Sequence, residues 1–244
     1  MRSLEQSANF SPLYQQIKDL ILGSLQAGEW QPGQPIPSEM ELAERYKVSQ
    51  GTVRKAIDAL AAENLVIRHQ GKGTFVASHR EDAFQYRFLR LVPDESQELI
   101  LKSQFLSCQS IKAGEHIAAL LKIKATDSVI EIKRTQSFFS KPTVFECIYL
   151  ITNRFQGISL ERLNVWNGPL YGFYESEFNT HMVWAEERIK AINADEELAS
   201  HLQLAKGSAL LSVERRSFTY GNKPVEVRVA HYETTQLHYF NELS

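Results

Sequence analysis

The sequence holds 244 residues, 43% of them hydrophobic, with a formal net charge of −2, which is enough for two ordinary domains, each with its own core. No run approaches the ~18 apolar residues of a membrane helix, and no charged-then-apolar leader opens the chain. Two cysteines, Cys108 and Cys147, are too few for a disulfide scaffold. Membrane and disulfide-rich secreted classes are thereby excluded, and a cytoplasmic protein without a cofactor is expected.

Residues 1–11 are polar and give no periodic signal. Pro12 opens a helix to Ala27 with Leu13, Ile17, Leu20, Ile21 and Leu25 as its apolar stripe, and Gly28 ends it. Ser38, followed three residues later by Glu41, is a capping box that starts a short helix carrying Met40, Leu42 and Ala43 and ending near Tyr46. After the Lys47-Val48 turn, Ser49 is a second N-cap. Val53, Ala56, Ile57 and Leu60 then follow the i, i+3, i+4, i+7 rule on a helix running to Asn64. Gln50, Thr52, Arg54 and Lys55 are left near its N-terminus or on its outer side. A short helix, a tight turn and a second helix with a polar outer face predict a helix-turn-helix that fits a major groove.

Leu65 to His69 and Thr74 to Val76 are β-prone runs around the tip Gln70-Gly71-Lys72-Gly73, which predicts a basic hairpin, or wing. Lys72 between two glycines lets the backbone approach a phosphate while its charge neutralises it. From Arg45 to His79 six basic residues (Arg45, Lys47, Arg54, Lys55, Arg68, Lys72) stand against Asp58 and Glu63, an excess of four hidden by the total charge. The competing readings are a purely structural helix pair and an ordinary hairpin tip. A P-loop is excluded, because Gly73 follows Lys72 and Val66 holds the upstream glycine position.

Residues 79–98 read as a linker between a first domain, 1–78, and a second, 99–244. The charged Ser78 to Asp82 connector precedes a run from Phe84 to Val92 that ends at Pro93 and could pair with a partner chain. The second domain has strand signals at Ser103 to Lys112, Ser128 to Phe139, Thr143 to Thr152, Met182 to Ala191, Ala209 to Tyr220 and Pro224 to Tyr232. Its helix signals are Glu115 to Leu121, Pro169 to Phe178 and Asp195 to Leu202. Strands joined by turns, such as Tyr220-Gly221-Asn222-Lys223, favour an antiparallel sheet with helices on one side. The fold class is α+β in two domains.

Alternation places Ile130, Ile132, Arg134, Gln136 and Phe138 on one apolar strand face. Val144, Glu146, Ile148 and Leu150 share another, while Glu226, Arg228, Ala230 and Tyr232 share a face opposite Val225, Val227 and Val229. Charges on buried faces must be paired. Either Arg134 and Glu146 form a structural ion pair, or these groups line a pocket that a ligand completes; the pattern supports both readings. The seven histidines (His69, His79, His116, His181, His201, His231 and His238) form no ligand cluster, so no metal is expected. Cys147 lacks an activating base and reads as core, as do Trp166, Tyr171, Phe173 and Tyr174.

Gly28 to Val76, with Pro32-Gly33, Pro37-Ser38-Glu39, Leu42-Ala43, Thr52-Val53-Arg54 and Gly71 to Val76 in register, resembles the DNA-binding domain of the GntR family of bacterial repressors. That resemblance implies DNA contact by Ser38, Arg45, Ser49, Gln50, Thr52, Arg54, Lys55, His69, Gly71, Lys72 and Gly73. Gln50 stands where the family usually has a base-reading arginine, and Asn64 where it usually has glycine.

Arg134, Leu170-Tyr171 and the segment Pro224 to Phe240 are similar to the UTRA effector domain of the HutC subfamily, whose fold is similar to chorismate lyase. They imply effector binding by Arg134, Glu146, Tyr171, Glu226 and Tyr232; Gln136 at a departing position and Arg228 on the same strand face as Glu226 complete the expected effector set. Gln136 replaces a second arginine and Pro169 a serine, which removes groups that would grip a phosphate, so a small carboxylate is the expected effector. The function implied is a homodimeric, nucleoid-associated transcriptional regulator, a repressor of an inverted-repeat operator under metabolite control. Its rival is a lyase-like enzyme acting on a small acid.

Overall fold

The computed structural model describes residues 11–78, 90–95, 101–138 and 141–241, and the chain divides into two compact units, 1–78 and 79–244. In the first unit α1 (Leu13–Gln26) follows Pro12 and buries Ile17, Ile21 and Leu25. Leu13 and Leu20, expected in the same stripe, remain 51% and 52% exposed. The buried stripe is therefore narrower than the pattern suggests, and Lys18, ion-paired to Glu63, fills one of its flanks. Gly28, at φ +73°, turns the chain out of α1.

α2 (Glu39–Tyr46) starts on the predicted capping box. The Glu41 amide donates to Ser38 Oγ at 3.3 Å, and the Ser38 amide donates to the Glu41 carboxylate at 2.8 Å. Leu42 is fully buried, but Met40 is 71% exposed. Lys47 ends α2 in the left-handed region and Ser49 caps α3 (Gln50–Ala62), accepting from the Thr52 amide at 3.2 Å. Val53, Ala56, Ile57 and Leu60 are all fully buried, as their spacing requires. Asn64 at φ +56° reverses the chain into β1 (Val66–His69), which pairs antiparallel with β2 (Gly73–Val76). Pro35 bridges Phe75 on the other side of β2.

The second unit is built on β4 (Lys102–Lys112), β5 (Ser128–Ser137), β6 (Val144–Ile151), β7 (Trp184–Asn193), β8 (Ala209–Thr219) and β9 (Lys223–Tyr232). They form one antiparallel six-stranded sheet in the order β4-β5-β6-β9-β8-β7. The helices lie on both faces, not on one. α4 (Gly114–Leu121) packs on Val129 and Val227, and α7 (Glu196–Leu202) on Phe145 and Leu210. The opposite face is covered by α5 (Leu160–Val165) and α6 (Leu170–Phe178), which bury Leu163, Phe173 and Tyr174 against Ile130, Ile132, Ile148 and Leu150. Along the inner strands β5, β6 and β9 both rows carry buried apolar residues, so each face of the sheet needs a cover.

Of the Phe84 to Val92 run that could pair with a partner chain, the described end enters β3 (Leu91–Pro93), which pairs with β10 (Leu237–Tyr239). Leu91 and Leu237 close the second end of the α6 side over Val144, Val213, Ala230 and Tyr232. The rest of that predicted segment and most of the linker lie outside the described residues.

Candidate DNA interface and effector site

Two serines predicted at the DNA face, Ser38 and Ser49, sit at the N-termini of α2 and α3 and cap them, with Thr52 Oγ1 2.9 Å from Ser49 Oγ. Helix N-termini of this kind favour phosphate. Lys55 on α3 and Lys72 at the wing tip are exposed. Gly71 and Gly73 have φ of +72° and +112°, which only glycine adopts without strain, so they bring the backbone to the tip of the hairpin. His69 stands edge-on to Phe75 with centroids 5.0 Å apart.

Arg45 is held by Glu29 through both ends of its guanidinium, at 2.5 and 3.0 Å, and lies against Trp30 and Tyr46. That bond keeps the Glu29 carboxyl below its usual range. Arg54 and Gln50 both donate to Glu39 Oε2, at 3.0 and 3.2 Å. Arg68, absent from the predicted contact set, joins them through Glu39 Oε1 at 3.1 Å. Nothing in the sequence links Glu39 with a residue 29 positions away, so this cluster is visible only in three dimensions.

In the second unit the ladder registers bring charged residues onto the α6 side of the sheet. Arg134 stands opposite Glu146, Arg228 opposite Ile148 and Arg215, Glu226 opposite Ser217, and Arg215 opposite Glu187. Arg134 Nε donates to Glu146 at 2.6 Å, and Arg228 lies 3.5 Å from Glu146 and 3.1 Å from Glu226. Arg215 pairs with Glu187 at 2.6 Å, and the Tyr239 hydroxyl bonds the same carboxylate. Tyr171 on α6 donates to Glu226 at 2.8 Å, and Ser217 lies 3.0 Å from that hydroxyl.

Three guanidiniums thus meet three carboxylates in a largely dry layer, where an unmatched charge is costly. Burial raises the Glu146 pKa, but Arg134 and Arg228 outweigh it and hold the group down at about 2. Burial, reinforced by Glu226, pushes the Tyr171 hydroxyl up, so it stays a neutral donor. Arg228 Nε and the Tyr174 hydroxyl have no hydrogen-bond partner among the described residues.

Of the predicted effector residues, Arg134, Glu146, Tyr171, Glu226 and Arg228 come together in this network. Gln136 turns instead to Ser103 on β4 at 3.1 Å, and Tyr232 packs its ring in the apolar cluster under β3 and β10 while its hydroxyl borders Glu146, Arg215 and Arg228. Arg215, Ser217 and Glu187 complete the network and lie outside the predicted set, while Tyr174 packs in the apolar core beside it. The alternation of Val213, Arg215 and Ser217 along β8 carries the signal for two of them. Cys147 lies on the other face, where burial pushes its thiol up to about 11, far from a reactive thiolate. Among the described residues no group of three or more His, Cys, Asp or Glu side chains could hold a metal ion, and no helix is long and apolar enough to cross a membrane.

The chain matches two protein families: bacterial regulatory proteins of the gntR family over residues 13–76 and the UTRA domain over residues 96–238. It is 30% identical over 218 residues to YurK, an HTH-type transcriptional regulator of Bacillus subtilis, covering 88% of each chain. The HTH-type transcriptional repressor NagR of Bacillus subtilis is 26% identical over 237 residues, 96% of each chain. The crystal structure of the ligand-binding domain of a chain described as a GntR-family regulator from Bordetella bronchiseptica superposes with a TM-score of 0.64 at 42% identity. That match covers 65% of this chain and 99% of the other. These relatives are regulators, and the lyase reading finds no support among them. The protein belongs to the GntR family, as a DNA-binding transcriptional regulator whose winged helix is followed in sequence by a UTRA domain.

Proposed function

We propose that the protein is a homodimeric, cytoplasmic repressor that reads an inverted-repeat operator and changes its affinity for it when a small metabolite binds the second unit. The observation that carries the proposal is the pairing of two unlike surfaces in one chain. One is an exposed basic face built from α3 and the glycine-flanked Lys72. The other is a buried polar layer of Arg134, Glu146, Glu226 and Arg228 under α6. The first suits a phosphate backbone and base edges; the second suits a small polar molecule that exchanges hydrogen bonds with groups already in place. A carboxylate could reach Arg134 or Arg228 only by sharing them with Glu146 or Glu226. Arg228 Nε and the Tyr174 hydroxyl would then supply fresh donors.

The test is selection of duplexes from a random pool with the purified chain, followed by titration of the selected duplex with small carboxylates and other central metabolites. A two-fold symmetric consensus with half-sites about one helical turn apart, and a metabolite that shifts the affinity, are the expected results. An asymmetric single site, or a shift that survives replacement of Arg134 and Arg228, would overturn the dimer or the site respectively.

A further inference from the structure

An acidic residue at a surface that docks on phosphates is an electrostatic cost, and Glu39 sits at such a surface. Its side chain is 16% exposed, at the first residue of α2, and three donors converge on its carboxylate. Arg54 donates to Oε2 from Nε at 3.0 Å, with Nη2 at 2.9 Å from the same oxygen, and Gln50 Nε2 donates to it at 3.2 Å. Arg68 Nη1, from the first wing strand, donates to Oε1 at 3.1 Å, while its Nη2 donates to Asp58 at 2.7 Å. The Arg54 hydrogen bond, helped by those of Gln50 and Arg68, keeps the Glu39 carboxyl below its usual range against the effect of burial. One carboxylate therefore ties the start of α2, the first turns of α3 and the wing into a single cluster. Arg54 and Arg68 nevertheless keep 57% and 41% of their side chains exposed.

We infer that Glu39 is a positioning residue for DNA recognition, and that Arg68 is a DNA-contact residue of the same cluster. Free arginines lose rotamer freedom on docking; arginines already fixed lose less. The planar fork of Arg54 and the amide of Gln50 discriminate bases only when correctly aimed. Glu39 aims both, and it holds Arg68 beside them so that helix and wing meet the duplex as one unit. The inference rests on α3 and the wing being the DNA-binding face.

The two possible roles of Glu39 predict opposite signs. If Glu39 only adds negative charge, Glu39→Ala tightens binding to every duplex. If it positions the cluster, Glu39→Ala weakens the duplex selected by the wild-type protein by about tenfold or more, the scale of one aligned base contact. Its affinity for a scrambled duplex of equal length is then unchanged or higher, and the ratio of the two affinities collapses. Glu39→Gln, which keeps the shape and one acceptor, is expected to lie between wild type and Glu39→Ala and guards against a folding defect, checked by thermal melting.

Arg68→Ala is expected to weaken the selected duplex and flatten the salt dependence by about one unit. In a Gln50→Ala/Arg54→Ala/Arg68→Ala background, where every side chain that Glu39 holds is gone, adding Glu39→Ala is expected to leave the affinity ratio unchanged. A further loss there means that Glu39 reads a base itself and overturns the positioning role, as does tighter binding by Glu39→Ala with the ratio intact. Arg68→Ala with wild-type affinity and salt slope overturns its contact role. If Arg54→Ala and Lys72→Ala also bind like wild type, it is the assignment of the DNA-binding face that fails.

Discussion

Arg54 and Lys72 represent two kinds of contact, and their alanine variants are expected to fail differently. Arg54→Ala on α3 should cost about 1–3 kcal/mol on the selected duplex and relax specificity at one symmetric position. Lys72→Ala at the wing tip should weaken all sequences alike and reduce the salt slope by about one; fluorescence anisotropy at several salt concentrations measures both. Gln50→Arg is expected to move the selected consensus toward guanine at one symmetric position, because glutamine suits an adenine edge and arginine a guanine edge. A second selection from the random pool checks this.

Glu146 gives a pH prediction. Its pKa is about 2 in the folded chain against an ordinary 4.5, so the stabilisation is fully present above pH 4.5 and is lost as the pH falls toward 2. Relative to Glu146→Gln, the wild-type unit should lose on the order of 3 kcal/mol across that window, read from urea midpoints at successive pH values. The pairing of Arg134 with Glu146 was legible in the sequence, because a period of two and one short turn put both on neighbouring strands. The choice between ion pair and ligand site was not, since period reports which face a residue takes and not what it touches there.

At the scale of elements, the caps are the parts that the sequence specifies most directly. Ser38→Ala removes one half of the capping box and is expected to cost about 1 kcal/mol, loosening the start of α2 without changing β1 or β2. Asn64 takes a left-handed conformation that a Cβ-bearing residue without a short polar side chain dislikes. Asn64→Ala should therefore cost about 1 kcal/mol, whereas Asn64→Gly should be neutral or slightly stabilising; thermal melting separates the two.

The helices and strands with strong periodicity were readable to within a residue or two. The short α5 and the β3–β10 pair were not, because a few residues contain too little periodicity and their pairing spans most of the second unit. The placement of helices on both faces was also hidden. It depends on which apolar row each helix covers, and both rows of the inner strands β5, β6 and β9 are apolar enough to need a cover.

For the molecule as a whole, Arg134→Ala leaves Glu146 with only the longer contact to Arg228, and the second unit is expected to lose about 3–5 kcal/mol. The double change Arg134→Met with Glu146→Leu removes both charges and should recover most of that loss. If the double variant melts normally and binds DNA but no longer responds to the metabolite, the network is a ligand site as well as a structural one. Restored response in the double variant would confine it to structure. Coupling must also be reciprocal: a metabolite that weakens operator binding by some factor is itself bound more weakly by that factor when the selected duplex is present, which calorimetry on the complex can check.

The chain carries its charges in two very different settings, those of Lys55, Arg54 and Lys72 open to water and those of Arg134, Glu146 and Arg228 enclosed. Mobile ions screen the first set and barely reach the second. Raising potassium chloride should therefore strip the protein from its operator while the second unit keeps its fold and its ligand. Acting as the proposed cytoplasmic repressor, the chain would then be loosened from its operator by a rise in internal potassium, with no metabolite involved. The genes it controls would answer to salt as well as to their own small molecule.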